Sequence, residues 1–150
     1  MTPEQQDLVR ESWRRFDPRP RGAGVRFYER LFELDPMAQQ LFAGVDMAEQ
    51  ERKLMAMLAQ IVLALDQPDE LVSQVAALGR RHVHYGVKDA DYESVGAALL
   101  WTLEQGLGEE FTSEVRAAWA EAYLTVATVM RRAATKEQVT GERPAARPRT

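Results

Sequence analysis

Residues 78–108 read LGRRHVHYGVKDADYESVGAALLWTLEQGLG, two helical patterns separated by a short break around Gly86. Leu71, Val75, Leu78 and His82 step by three or four on the upstream side. Tyr92, Val95, Leu99 and Leu103 do the same downstream, and such steps put each set on one face of a helix. His82 therefore continues an apolar stripe. His84 falls about 200° round the same helix and reads as a surface residue.

The same periodicity extends in both directions from this stretch. Thr2-Pro3 with Gln5 is a capping box with proline at the first helical position, opening a helix that ends near Phe16. A second helix, from about Arg21 to Leu34, carries the stripe Gly24, Tyr28, Leu31, Leu34 and stops at Asp35-Pro36. A short helix or turn reaches Phe42. Asp46 with Glu49 then opens a helix to about Leu65, with the stripe Met47, Gln50, Leu54, Leu58, Ile61, Leu65. Pro68-Asp69-Glu70 opens the helix that bears His82 and ends by Gly86, and residues 89–106 form the next. Thr112 caps a last helix to about Ala134, striped by Val115, Trp119, Ala122 and Val126. The expected fold class is all-α: six main helices and a short one, in a domain spanning 1–135. The Pro- and Arg-rich residues 136–150 are expected to be a disordered tail.

Composition agrees with this. The 150 residues include 21 Ala and a single Ile, and no proline occurs between Pro68 and Pro144. There is no cysteine, which excludes disulfides, thiolate metal sites and thiol nucleophiles. Two histidines are too few for a multi-histidine metal centre. A net charge of −4 with interspersed signs argues against nucleic-acid binding. No apolar run is long enough for a membrane span, and MTPEQQDLVRES lacks the core of a signal peptide, so a cytoplasmic protein is expected.

Three stripes carry a polar member: Tyr28, Gln50 and His82. A buried polar group costs about 1–3 kcal/mol unless hydrogen-bonded. Taken singly, each is compatible with a core side chain that has found a backbone carbonyl. Together, an imidazole on one helix and a phenol and an amide on two others suit a cavity that holds one planar cofactor. Haem is such a group, since a single proximal histidine can hold its iron while donors opposite select the ligand.

The 78–108 stretch resembles the proximal half of bacterial single-domain globins, flavohaemoglobin globin domains and neuroglobins. FYERLFELDP (27–36) and LFAGVDMAEQERKLMAML (41–58) resemble the second helix with its corner and the distal helix of those proteins, and AAWAEAYLTVATVM (117–130) resembles their last helix. The resemblance covers residues 2–134 and implies the globin fold, with helices crossing at about 50° around haem b. It implies that His82 is the iron ligand, its other ring nitrogen donating to the Leu78 carbonyl. It places Phe42 flat against the haem, Tyr28 and Gln50 on the distal side, and Leu54 over the iron. Lys53 and Arg81 are placed within reach of the propionates, with solvated charges as the ordinary alternative. Leu78, Val87, Tyr92 and Val95 are expected along the proximal and lower walls. Trp13, Trp101 and Trp119 read as packing between helices.

The function this implies is reversible binding of dioxygen, nitric oxide or carbon monoxide, with nitric oxide dioxygenation as the candidate reaction. Oxygen transport belongs to the same expectation. Too little sequence follows residue 134 for a reductase domain, so turnover is expected to draw electrons from a separate reductase. Ala134 stands where flavohaemoglobins place a glutamate, which removes that carboxylate's push on the proximal imidazole. Neuroglobins close the sixth coordination position with a distal histidine, whereas this chain has Gln50 there. A monomer or weak homodimer is expected. The alternatives are a haem-based gas sensor and a haem-free helical adaptor.

Overall fold

The computed structural model describes residues 1–16, 22–84 and 88–139. Among them are six α-helices and no strand: α1 (Pro3–Arg15), α2 (Gly22–Leu34), α3 (Met47–Leu63), α4 (Pro68–His84), α5 (Asp89–Leu107) and α6 (Ser113–Val139). Two 3-10 segments, Pro36–Phe42 and Gly108–Glu110, join α2 to α3 and α5 to α6.

The helix starts follow local chemistry. Thr2 Oγ1 accepts from the Gln5 N–H at 3.1 Å, and Gln5 Oε1 accepts from the Thr2 N–H at 3.0 Å, completing the capping box. Asp46 accepts from the N–H groups of Ala48 and Glu49, while the Glu49 carboxylate pairs with Arg52. Thr112 Oγ1 accepts from the Val115 N–H at 3.2 Å at the start of α6. That helix runs five residues beyond Ala134, because 135–139 (TKEQV) contain no glycine or proline to stop elongation. The residues from 140 onward lie outside those described.

Packing is dominated by α4 along α6, α2 along α5 and α1 along α6, with α2 also crossing α3. Two glycines permit the closest approaches. A Cβ at Gly24 would lie 2.8 Å from Glu51 Cβ, so α2 and α3 touch nearly backbone to backbone. A Cβ at Gly79 would lie 2.5 Å from the Met130 carbonyl oxygen, fixing α4 against α6 in the same way. Tyr28 is one turn beyond Gly24 and His82 nearly one turn beyond Gly79, so these contacts set the positions of the polar side chains.

The aromatic core joins α1 to α6. Trp13 stacks on Phe16, and Trp119 lies against Trp13 with its indole N–H donating to Ser12 Oγ at 2.8 Å. The Ser12 hydroxyl in turn donates to the Leu8 carbonyl at 2.7 Å, leaving this fully buried polar pair satisfied. Trp101 on α5 lies beneath the Arg30 guanidinium of α2. Leu34 departs from its stripe and is 42% exposed, since it ends α2 just before the chain turns at Asp35-Pro36.

Candidate functional site

Tyr28 sits in the middle of α2 and is only 5% exposed. Its ring meets Phe27 edge-on at 4.9 Å and Phe42 edge-on at 5.3 Å, and Phe32 lies 6.1 Å away. Phe32 and Phe42 also contact each other at 5.7 Å. This aromatic cluster holds the ring in one orientation. The hydroxyl oxygen accepts from Gln50 Nε2, on the first turn of α3, at 3.2 Å. Burial pushes the Tyr28 phenol up to about 12; the Gln50 hydrogen bond opposes that rise and the nearby Glu51 carboxylate adds to it. The phenol therefore keeps its proton throughout the neutral range.

The arrangement has a direction. Since the phenol oxygen is the acceptor toward Gln50, its own O–H remains the group that Tyr28 can donate elsewhere. Accepting one hydrogen bond polarises the phenol and strengthens the one it donates. Gln50 has a second amide hydrogen and is half-buried, so it can act both as support for Tyr28 and as a second donor.

His82 is half-buried on α4, with Nδ1 2.8 Å from the Leu78 carbonyl one turn back. A carbonyl can only accept, so Nδ1 carries the hydrogen and the imidazole lone pair resides on Nε2. Burial lowers the pKa of His82 below the ordinary histidine value; the Leu78 hydrogen bond works against this and the charge of Arg81 works with it. A neutral imidazole in a fixed tautomer is the form that ligates a metal. Among the described residues, no group of three His, Cys, Asp or Glu is placed to hold a metal ion unaided.

Residues 25–130 match the globin family. The chain belongs to the globin family. It is 30% identical to neuroglobin of Tetraodon nigroviridis over 145 residues, covering 88% of this chain and 91% of that protein. It is 29% identical to neuroglobin of Danio rerio, with the same coverage. Its fold is also similar to that of a hexacoordinated heme protein from an anhydrobiotic tardigrade, with a TM-score of 0.81 at 18% identity, over 90% of this chain and 96% of the other.

In this globin the residues named from the sequence fall into separate groups. Tyr28, Gln50 and Phe42 are brought together by direct contact, and Leu78 and His82 form a second group on α4. Leu54, Leu78 and Val95 are half-buried apolar side chains packed against the core. Tyr92 is buried, with the Arg131 guanidinium over its ring at 4.9 Å and its carbonyl accepting from the Tyr123 hydroxyl, so α6 holds the start of α5. Burial and the adjacent Tyr92 raise the pKa of Tyr123, while Arg131 opposes them. Lys53 and Arg81 are exposed. Val87 lies outside the described residues. Phe27 and Phe32 were not among the expected site residues, although Phe32 stands four residues after Tyr28 and hence on the same helix face.

No helix among the described residues is long and apolar enough to cross a membrane.

Proposed function

We propose that this globin binds haem b through His82 and uses Tyr28 and Gln50 to retain a polar diatomic gas. The observation that carries the reading is the His82–Leu78 contact at 2.8 Å, which presents a desolvated, neutral imidazole in one tautomer. The residues present suit the cofactor. Phe42, Leu54, Leu78 and Val95 are half-buried apolar surfaces suited to a porphyrin face, and Lys53 and Arg81 are exposed cations suited to its propionates. Tyr92 would add a wall at the start of α5, and Val87 is assigned there on the sequence resemblance.

Haem supplies a redox-active iron that takes up dioxygen, nitric oxide or carbon monoxide. The protein's part is positional. Phe27, Phe32 and Phe42 fix the Tyr28 ring, Gln50 polarises its hydroxyl, and the O–H is left to donate to a ligand that accumulates negative charge. Burial favours the protonated phenol, the form in which Tyr28 can donate. The fine reaction we assign is conversion of nitric oxide and dioxygen, with one electron from a separate reductase, to nitrate. What supports it is the Tyr28–Gln50 pair, two hydrogen-bond donors held together where α2 and α3 meet.

The test is absorption spectroscopy of the reconstituted protein. The expected result is a Soret band with distinct deoxy ferrous, dioxygen and carbon monoxide forms, and loss of stable haem in His82→Ala. Nitrate formed in one-to-one yield on mixing the dioxygen form with nitric oxide supports the reaction, and recovery of nitric oxide unchanged rejects it.

A further inference from the structure

The chain is acidic overall, yet one region is not. Residues 71–84 of α4 and 122–136 of α6 contain Arg80, Arg81, Arg131, Arg132 and Lys136 and no Asp or Glu. These stretches face each other at the Gly79–Met130 contact, where a Cβ on Gly79 would be 2.6 Å from Met130 Cα. One residue along α4 and two along α6 from that contact leave the α-carbons of Arg80 and Arg132 within about 13 Å of each other. Lys136 follows one turn after Arg132.

Arg80, Arg81, Arg132 and Lys136 are exposed, and none of them enters an ion pair among the described residues. Arg10, Arg14, Arg15, Arg30 and Arg52 are each paired with a carboxylate, while Arg26, Lys53 and Arg116 stand singly, exposed and unpaired among the described residues, away from this region. Arg131 lies over the Tyr92 ring. Complementing a helix dipole accounts for cations in the last turn of a helix. It covers Arg81 and Lys136, but not Arg132, which is seven residues from the end of α6.

We propose that this basic surface on α4 and α6 docks an acidic one-electron donor protein beside the proximal face of the site. The inference rests on the haem reading above and deepens it by naming the surface through which the external reductase acts. Arg80 and Arg81 stand on the same turn of α4 as His82, so a partner seated there contacts the helix that carries the iron ligand, and electron transfer falls off steeply with separation. A donor carrying a reduced [2Fe–2S] cluster or flavin gives up one electron, and ferric haem iron becomes ferrous; no bond is formed and no group is transferred. The cations are spread over two exposed helix surfaces, which suits a broad protein face with complementary charge. Such complementarity acts mainly on the encounter rate and is screened by salt.

The probe is a plant-type [2Fe–2S] ferredoxin, a small and strongly acidic protein. Its oxidised form is titrated against the globin by calorimetry, and its reduced form is mixed with the ferric globin in stopped flow. The variant is Arg80→Glu/Arg132→Glu/Lys136→Glu, all three exposed, with Arg81 left native because it is also a candidate haem partner. The control is Arg14→Glu/Arg15→Glu/Arg116→Glu, which changes net charge equally at another place. The expected result is binding and reduction that weaken at least tenfold in the first variant and less than threefold in the control. Both should fall with rising salt, while reduction of the two variants by dithionite stays the same.

Equal losses in the two variants, or ferredoxin binding that ignores both, overturn the proposal. So does binding of phosphatidylserine vesicles or duplex DNA through the same three residues in preference to ferredoxin. The titration reads docking without any electron transfer and so decides the docking surface by itself. A missing Soret band instead rejects the haem reading.

Discussion

Replacing Tyr28 by Phe removes one oxygen atom from a ring that stays fixed by Phe27, Phe32 and Phe42. Packing is therefore preserved, and what changes is hydrogen bonding. The Gln50–Tyr28 bond, at 3.2 Å, is at the long end of the normal range and contributes about 0.5–1 kcal/mol to stability. The larger effect falls on the gas ligand, where a donor to a charge-bearing acceptor contributes about 1.4 kcal/mol, equivalent to a tenfold change in off-rate. Dioxygen, which draws negative charge, should leave about tenfold faster in the variant. Carbon monoxide, with little charge on its outer atom, should leave less than about twofold faster.

The direction of the Gln50–Tyr28 bond makes the prediction sharper. If Gln50 acts chiefly by polarising Tyr28, then Gln50→Leu should raise the dioxygen off-rate in the wild type and have little further effect in Tyr28→Phe. The two changes are in contact and should couple by about 0.5–1 kcal/mol in a double-mutant cycle. The assay is ligand replacement in stopped flow for both gases in the wild type, the two single variants and the double variant. A dioxygen off-rate unchanged by Tyr28→Phe, or both gases accelerated equally, would show that Tyr28 is only a packing residue. Full additivity would leave Tyr28 a donor but make Gln50 an independent one.

Four further outcomes are expected. The Tyr28 phenol titrates near 12 in the folded chain against about 10 when unfolded, so stability is intact below pH 10 and declines as pH rises toward 12; between pH 9 and 11 urea unfolding should show the wild type losing about 1.3 kcal/mol more than Tyr28→Phe. Gly79→Ala should destabilise by about 1–3 kcal/mol, because its Cβ meets backbone atoms of Met130 that cannot rotate away, and haem affinity should fall with it. Ser12→Ala should lower the unfolding free energy by about 1–2 kcal/mol by stranding the buried Trp119 N–H. His82→Gly should lose stable haem and regain a Soret band with added imidazole, whereas His84→Ala should keep a normal spectrum.

Much of this was readable along the chain because it is local. The capping box at Thr2 and Gln5, the Asp46 and Thr112 caps and the Asp35-Pro36 stop each depend on residues within one turn. The Leu78 carbonyl as partner of His82 is likewise an i−4 relation within one helix. What was not readable depends on neighbours far apart in sequence. Nothing in GAGVRFYER announces that Gly24 faces Glu51, or in LGRRH that Gly79 faces Met130. The extension of α6 to Val139 was missed because Ala134 ended the apolar stripe, while helix propensity in TKEQV continued without it. The orientation of the Gln50 amide toward the Tyr28 oxygen also required the crossing of α2 and α3.

That crossing also bears on coordination of the iron. The neuroglobins that this chain matches at about 30% identity share its family, but its own two histidines both lie on α4. The side chain that α3 brings to Tyr28 is Gln50, and an amide is a weak iron ligand; its N–H is moreover turned toward the phenol oxygen. Burial favours the neutral phenol at Tyr28, which is a poor ligand for ferrous iron. Neither side chain that meets at the crossing of α2 and α3, Tyr28 or Gln50, is a strong ligand for ferrous iron, so the ferrous form should be five-coordinate and high-spin when no gas is bound. Gas binding should then proceed in one step, with a rate proportional to ligand concentration up to the mixing limit. A low-spin deoxy spectrum, or a binding rate that saturates because an internal ligand must first dissociate, would show that another side chain reaches the iron and that the distal geometry rearranges when haem binds.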